Sequence, residues 1–320
     1  MNMKHLTKVL ENEKPLDYLV FDGGYTSIFP TIACIGDSLS SGEFEHVDDN
    51  GVRTYHDKFE FSWGQFIARA TGNKVYNFSR GGMSAKEYIE SFADLNDLYN
   101  KDKIASCYII ALGVNDLLGL KQPLGDITDI DINNPENNKD TFAGWYGKVI
   151  SKYKEIAPNA KFFFVTMPKE NSVDDPRNLI SKGHAKLLHD LTKIYSNSYV
   201  IDLFEYAPIY DDEFKRKFFL EGHMNPAGYR LTAIMIASYI DYIIRSDFKS
   251  FSQVGFINTE YYKKELESKK IINKVSKIVV TALSMILLAV SLVLSLISVF
   301  WPFFSCSINI SYLQIVHSLS

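Results

Sequence analysis

The chain has 320 residues, 46% of them hydrophobic, and a formal net charge of −4 at pH 7. This length predicts one or two domains with a large core, and the weak negative charge gives no indication of a nucleic-acid-binding protein. Three cysteines are too few for a disulfide framework, and the sequence contains no cysteine cluster that would indicate a metal site.

Apolar runs alternate along the chain with segments of helical periodicity. The apolar runs predict five strands, at residues 30–35, 74–78, 107–112, 161–166 and 198–203. The periodic segments predict five helices, at residues 62–71, 85–100, 141–156, 177–196 and 226–246. Because strands and helices alternate, we expect an α/β protein: a three-layer α/β/α, flavodoxin-like sandwich around a five-stranded parallel sheet.

Two longer connections follow the ends of predicted strands. Residues 42–61 are polar, and residues 119–140 are rich in Gly, Pro, Asn and Asp and are predicted to form a loop. Connections at strand ends frequently carry binding residues. We therefore expect both segments to border any site at that edge of the sheet.

The C-terminal part differs in composition from the rest. Residues 278–301 are 24 consecutive residues without a charged side chain, which as a helix of roughly 36 Å would cross a hydrocarbon core of about 30 Å. Lysines precede this stretch and none follows it, so the positive-inside rule predicts a membrane anchor with the preceding domain in the cytoplasm. The alternative is a buried helix or an aberrant tail, which would leave a soluble cytoplasmic protein.

These features divide the chain into five predicted parts. The N-terminus lacks the apolar run of a signal peptide. The parts are an N-terminal extension at 1–29, a globular domain at 30–257, a basic linker at 258–277, the transmembrane helix at 278–301 and a short tail at 302–320.

Ser38 lies where the first predicted strand ends. The apolar run closes at Gly36, and Asp37 and Ser38 follow it. The carboxyl ends of parallel strands are where open α/β sheets bind ligands, so a serine there can act as an exposed nucleophile. Gly-Asp-Ser is also ordinary turn chemistry, and a base and an oxyanion site are needed before Ser38 is taken as a nucleophile.

Three further segments provide those groups in chain order. Gly82 follows the second strand and can expose a backbone N–H, while Asn115 follows the third strand and offers a neutral amide donor. His223 precedes a long helix that begins near Pro226. One nucleophile, one base and several oxyanion donors are the requirement for acyl transfer.

These four segments together resemble the SGNH hydrolases, also called GDSL-type esterases and lipases, over about residues 30–246. The resemblance implies that Ser38 is the nucleophile and His223 the general base. It also implies an oxyanion hole formed by the backbone N–H groups of Ser38 and Gly82 and the side chain of Asn115. Gly82 is preferred to its neighbour because it lies five residues after the asparagine of the second strand.

One position departs from the family pattern. The family usually carries an aspartate three residues before the histidine, and this chain has Leu220 there. Glu221 or a backbone carbonyl near Leu220 could orient the imidazole instead, since a third group normally does so. The favoured interpretation is a Ser38–His223 dyad.

The resemblance implies a serine esterase or deacetylase that cleaves small acyl esters, acetylated carbohydrate among them, and that needs neither a cofactor nor a metal. The predicted anchor suggests an alternative, an O-acyltransferase that works at a membrane. Leu220 suggests another, a tethered binding module with a degenerate site.

Overall fold

The computed structural model describes residues 7–172, 174–263, 279, 281–288, 290 and 291. The chain divides into two units, residues 1–262 and 263–320. Within the second unit, residues 281–288 are helical. Most of the predicted transmembrane helix at 278–301 lies outside the described residues, and in the part that is described no helix is long and apolar enough to cross a membrane.

Nine strands are present in the described part of the chain. They are β1 Thr31–Gly36, β2 Glu43–Val47, β3 Arg53–Asp57, β4 Lys74–Ser79, β5 Cys107–Ala111, β6 Lys161–Val165, β7 Ser198–Ile201, β8 Phe219–Leu220 and β9 His223–Met224. Five of them form one parallel sheet in the order β4-β1-β5-β6-β7. The predicted parallel sheet and its flavodoxin-like order are therefore confirmed.

The α-helices of the first unit flank this sheet. They are α1 Ser38–Ser41, α2 Trp63–Thr71, α3 Ala85–Glu87, α4 Ala93–Leu95, α5 Phe142–Ile156, α6 Arg177–Ile194, α7 Leu203–Tyr206, α8 Asp212–Phe218 and α9 Pro226–Ser246. Helix α9 packs against α2, and α5 packs against α3. The central strands lie between these helices and are buried on both faces, which explains why β5 and β6 are almost entirely apolar.

Several predicted elements end earlier than expected, and two of them show a clear physical reason. The predicted helix at 85–100 consists of α3, a π-helical segment Tyr88–Phe92 and α4. It stops after α4 because Asp97 takes a left-handed conformation with φ 52°. The predicted strand at 198–203 ends at Ile201, since the side chain of Asp202 caps α7 by accepting the N–H of Glu205.

A β-hairpin occupies most of the polar segment 42–61, where no strand is predicted. Strands β2 and β3 pair antiparallel, and Gly51 turns the chain between them with φ 78°. The carboxylate of Asp48 accepts the backbone N–H groups of Asn50 and Val52 and so fixes the turn. This hairpin brings two glutamates to the edge of the sheet.

Candidate active site

The segments that carry Ser38, Gly82 and Asn115 leave the sheet side by side. Gly36 at the end of β1 is in register with Ser79 of β4 and with Ala111 of β5. Parallel strands end at the same edge, so all three segments reach one place. The convergence expected at the strand ends is thus present in the fold.

Ser38 is the first residue of α1. The carboxylate of Asp37 caps this helix by accepting the N–H of Leu39 at 3.1 Å. Ser38 is half-buried, and its hydroxyl makes no hydrogen bond to any described residue. The Tyr229 hydroxyl lies 2.6 Å from the carbonyl oxygen of Glu43 and 3.4 Å from that of Ser38, which ties the serine segment to the hairpin.

Gly82 and Asn115 lie on two loops that are bonded to each other. Gly82 is exposed with φ 72°, and no atom lies within 4 Å of the place where a Cβ would stand. The side-chain amide of Asn115 donates to the carbonyl oxygen of Met83 at 3.1 Å. Beside it, the buried carboxylate of Asp116 accepts the N–H of Ala85 at 2.8 Å. The two donor groups are therefore held by a shared network, and the space above Gly82 is open.

His223 begins β9, which contacts helix α1. Its Nδ1 lies 3.0 Å from Oε2 of Glu45, and the N–H of Gly222 donates to that same oxygen at 3.1 Å. The Glu45 side chain is only 2% exposed and also pairs with the Arg53 guanidinium. A buried carboxylate with these three partners fixes the orientation of the imidazole ring.

The group that contacts Nδ1 of His223 is Glu45. The sequence suggested Glu221 or a backbone carbonyl near Leu220 instead. Glu221 is exposed, with a left-handed φ of 56°, and Leu220 is 49% exposed. Glu45 lies 178 residues from His223 in the chain, so no local spacing points to it. The sequence does carry one indication of the hairpin itself. Asn50-Gly51 is a typical hairpin turn, and it lies between two segments in which polar and apolar residues alternate.

Glu43 contacts the other nitrogen of the ring. Residues 43 and 45 project from the same face of β2, and Oε1 of Glu43 lies 3.2 Å from Nε2 of His223. The Glu43 carboxylate also packs over Gly81, where a side chain would collide with it. Segment 42–61 therefore contacts His223 through Glu43 and Glu45.

Burial shifts the pKa values of His223 and Glu43. Burial lowers the pKa of His223 below its ordinary value of 6.5. The negative charge of Glu43 opposes this shift, the positive charge of Arg53 adds to it, and the negative charge of Asp57 opposes it. Burial raises the pKa of Glu43, while His223 opposes that shift. It also raises the pKa of Asp37, to about 7. A neutral imidazole beside carboxylates is suited to accept a proton.

Two further histidines, His184 and His189, make structural hydrogen bonds. His184 is buried, its Nε2 donates to the carbonyl oxygen of Leu112 at 3.1 Å, and burial lowers its pKa to about 4. His189 lies 2.8 Å from the carboxylate of Asp202, which follows the end of β7 and caps α7. No group of three or more metal-ligating side chains is arranged to hold a metal ion in the described ranges.

Solved structures with a similar fold include carbohydrate esterases and a lipase-like protein. A family two carbohydrate esterase from Clostridium thermocellum is 15% identical, with 73% of this chain and 67% of that one covered and a TM-score of 0.48. A family 3 carbohydrate esterase from the same organism is 14% identical, with 67% and 96% covered and a TM-score of 0.44. A protein described as a possible lipase, from Chitinophaga pinensis, is 18% identical, with 68% and 99% covered and a TM-score of 0.44.

The family assignment rests on the sequence. None of the curated proteins compared with the chain matches it. Residues 34–231, more than half of the chain, match the GDSL-like Lipase/Acylhydrolase family, and this range contains all four segments of the site. The chain therefore belongs to the GDSL-like lipase and acylhydrolase family and is a carboxylic ester hydrolase.

Proposed function

We propose that the chain is a serine esterase for short acyl esters, acetylated carbohydrate among them, with Ser38 as nucleophile and His223 as general base. The observation that carries this proposal is the environment of His223. Its Nδ1 is bonded to the buried Glu45, and its Nε2 lies 3.2 Å from Oε1 of Glu43, five residues after Ser38. An oriented, neutral imidazole beside a strand-end serine is the arrangement that activates a hydroxyl.

In the proposed reaction, the Ser38 hydroxyl takes the place of Glu43 as the partner of Nε2. Nε2 accepts the hydroxyl proton while Oγ attacks the ester carbonyl carbon. The oxyanion then accepts hydrogen bonds from the backbone N–H groups of Ser38 and Gly82 and from the amide of Asn115. The imidazolium gives the proton to the departing alcohol oxygen, and water later hydrolyses the acyl-serine by the same route.

Glu45 supplies the third group of this mechanism. The carboxylate accepts a hydrogen bond from the Nδ1–H, which leaves the Nε2 lone pair free for the serine and stabilises the imidazolium that forms. Arg53 pairs with Glu45 and balances its charge. We infer a triad with its acid on the β2–β3 hairpin, in place of the dyad that Leu220 suggested.

A small apolar cavity favours a substrate with a short acyl group. The cavity has a volume of about 60 Å³, and its lining includes Leu39, Val114 and Met224. These residues are the chain neighbours of Ser38, Asn115 and His223 respectively. The space next to these residues is narrow, and we infer from it a preference for acyl groups as short as acetyl.

The test of this function is product analysis with the full chain and a neutral aryl acetate. We expect acetate and phenol in equal amounts, with no new ester when glycerol is added as an acceptor. Transfer of the acetyl group to glycerol in place of acetate release would contradict hydrolysis. No turnover of any short acyl ester would contradict the proposed function as a whole.

The pH dependence follows from the lowered pKa of His223. The base must be neutral to accept the Ser38 proton, so kcat/KM rises with pH as His223 loses its proton. Because burial lowers this pKa, we expect the midpoint of the rise below pH 6.5. A rate profile between pH 4 and 9 measures it, and a midpoint above 6.5 would contradict the assignment.

Asn115 has a separate expected effect. Asn115→Ala removes one oxyanion donor, so kcat should fall by about 10²–10³ with little change in KM. The His223 midpoint in the pH profile should stay where it is, because Asn115 does not contact the imidazole in the described structure. An Asn115→Ala enzyme with unaltered kcat would remove Asn115 from the oxyanion hole.

A further inference from the structure

Glu43 and Asp57 form an acidic pair at the base of the hairpin. The two residues lie directly opposite each other in the β2–β3 pairing. Glu45, on the same strand, is neutralised by Arg53, but no lysine or arginine pairs with Glu43 or Asp57 in the described part of the chain. Asp57 instead accepts a hydrogen bond from the Ser41 hydroxyl at 2.5 Å. The end of the hairpin beside His223 thus keeps uncompensated negative charge.

Apart from His223, the groups described beside Glu43 do not offset this charge. Buried Asp37 interacts unfavourably with Glu43, and Arg80, the cation nearest in sequence to Gly81, pairs with Glu87 at 2.8 Å. The Glu43 side chain is only 12% exposed, which limits screening by salt. A second negative charge brought close to Glu43 would therefore be repelled.

Glu43 lies on the leaving-group side of the proposed reaction. Its Oε1 is 3.2 Å from Nε2 of His223, the atom that returns the proton to the alcohol oxygen. The alcohol part of the ester must then depart next to this carboxylate. An alcohol hydroxyl could donate a hydrogen bond to Glu43, whereas a carboxylate or phosphate on the alcohol would meet a like charge.

We propose that Glu43 is a specificity-determining residue that selects esters of uncharged, hydroxyl-bearing alcohols and excludes esters whose alcohol carries an anionic group near the ester oxygen. Asp57 adds to the same discrimination from the opposite strand. The inference rests on the proposed function and narrows its substrate class to esters of neutral polyols.

A matched pair of acetates tests the proposal in the full chain at pH 8. Methyl 3-acetoxybenzoate is neutral, and 3-acetoxybenzoate carries a carboxylate on an otherwise similar alcohol. Each kcat/KM is divided by the uncatalysed hydrolysis rate, and the ratio of neutral to anionic substrate is taken. Because both substrates use the same His223, any effect of a variant on the base cancels in this ratio.

We expect the ratio to exceed ten in the wild type and to fall by about tenfold in Glu43→Gln. Asp57→Asn should lower it less. Glu90→Gln, which removes an exposed carboxylate outside the site, is the matched control and should leave the ratio unchanged.

Three outcomes would overturn the proposal. They are a wild-type ratio near one, a high ratio that Glu43→Gln leaves unaltered, and an equal fall in Glu90→Gln. All three require measurable hydrolysis and so leave the esterase function intact. Absence of hydrolysis of both acetates would instead reject the proposed function, and the selectivity with it.

Discussion

Ser38→Ala is expected to reduce kcat for a short acyl ester by at least about 10³-fold, with KM changed little. The substitution removes the oxygen that attacks the carbonyl carbon but leaves the donors and the binding surface in place, so substrate still binds. Residual activity then comes from the oxyanion donors alone. Steady-state rates on a neutral aryl acetate measure the loss.

Ser40→Ala is the matched control for this experiment. Ser40 is two residues further along, is 1% exposed, and has a hydroxyl without a hydrogen-bond partner within the described structure. Its loss should leave kcat within about twofold of wild type, because the substitution removes no hydrogen bond. If Ser38→Ala kept wild-type activity, or if Ser40→Ala lost as much, Ser38 would not be the nucleophile.

Glu45→Gln is expected to lower kcat by about 10²–10⁴-fold, again with a small change in KM. A neutral amide cannot stabilise the imidazolium, and its NH₂ can donate to Nδ1 and favour the wrong tautomer of His223. Loss of the carboxylate also leaves the Arg53 charge uncompensated, so the pKa of His223 should fall further. The midpoint of the pH profile should shift to lower pH while kcat drops.

Controls separate this positioning role from a purely structural one. Glu221→Gln changes the acid that sequence spacing suggested, and it should leave kcat and the pH midpoint unaltered. Glu45→Asp retains the charge with a shorter reach and should recover part of kcat. A Glu45→Gln protein with a lowered melting temperature but a normal kcat and pH profile would limit Glu45 to stability.

The sheet could be predicted from sequence because its strands are buried on both faces. The residues of β1 and β6 form apolar runs bounded by polar or glycine-containing segments, a local pattern that length and composition identify. The boundaries were less accurate. Strand β7 ended early because the cap formed by Asp202 starts a helix, and the π-helical segment Tyr88–Phe92 has no marker in helical periodicity.

The site was only partly predictable for a different reason. Ser38, Gly82 and Asn115 follow strands, so the topology alone brings their segments together. The acid beside His223 depends on how a hairpin folds back over the edge of the sheet, and that is a tertiary contact between residues 178 positions apart. Asn50-Gly51 marks the turn, but nothing local says which side chains of β2 face the histidine.

The most direct test of the central claim is to trap the nucleophile. The full chain is treated with a fluorophosphonate, digested and examined by mass spectrometry. If Ser38 is the nucleophile, we expect one phosphonyl adduct, on the peptide that contains Ser38, with loss of esterase activity in proportion to labelling. Adduct formation on another residue would contradict the role of Ser38. Hydrolysis that continues at the full rate after treatment, with Ser38 unmodified, would contradict it as well.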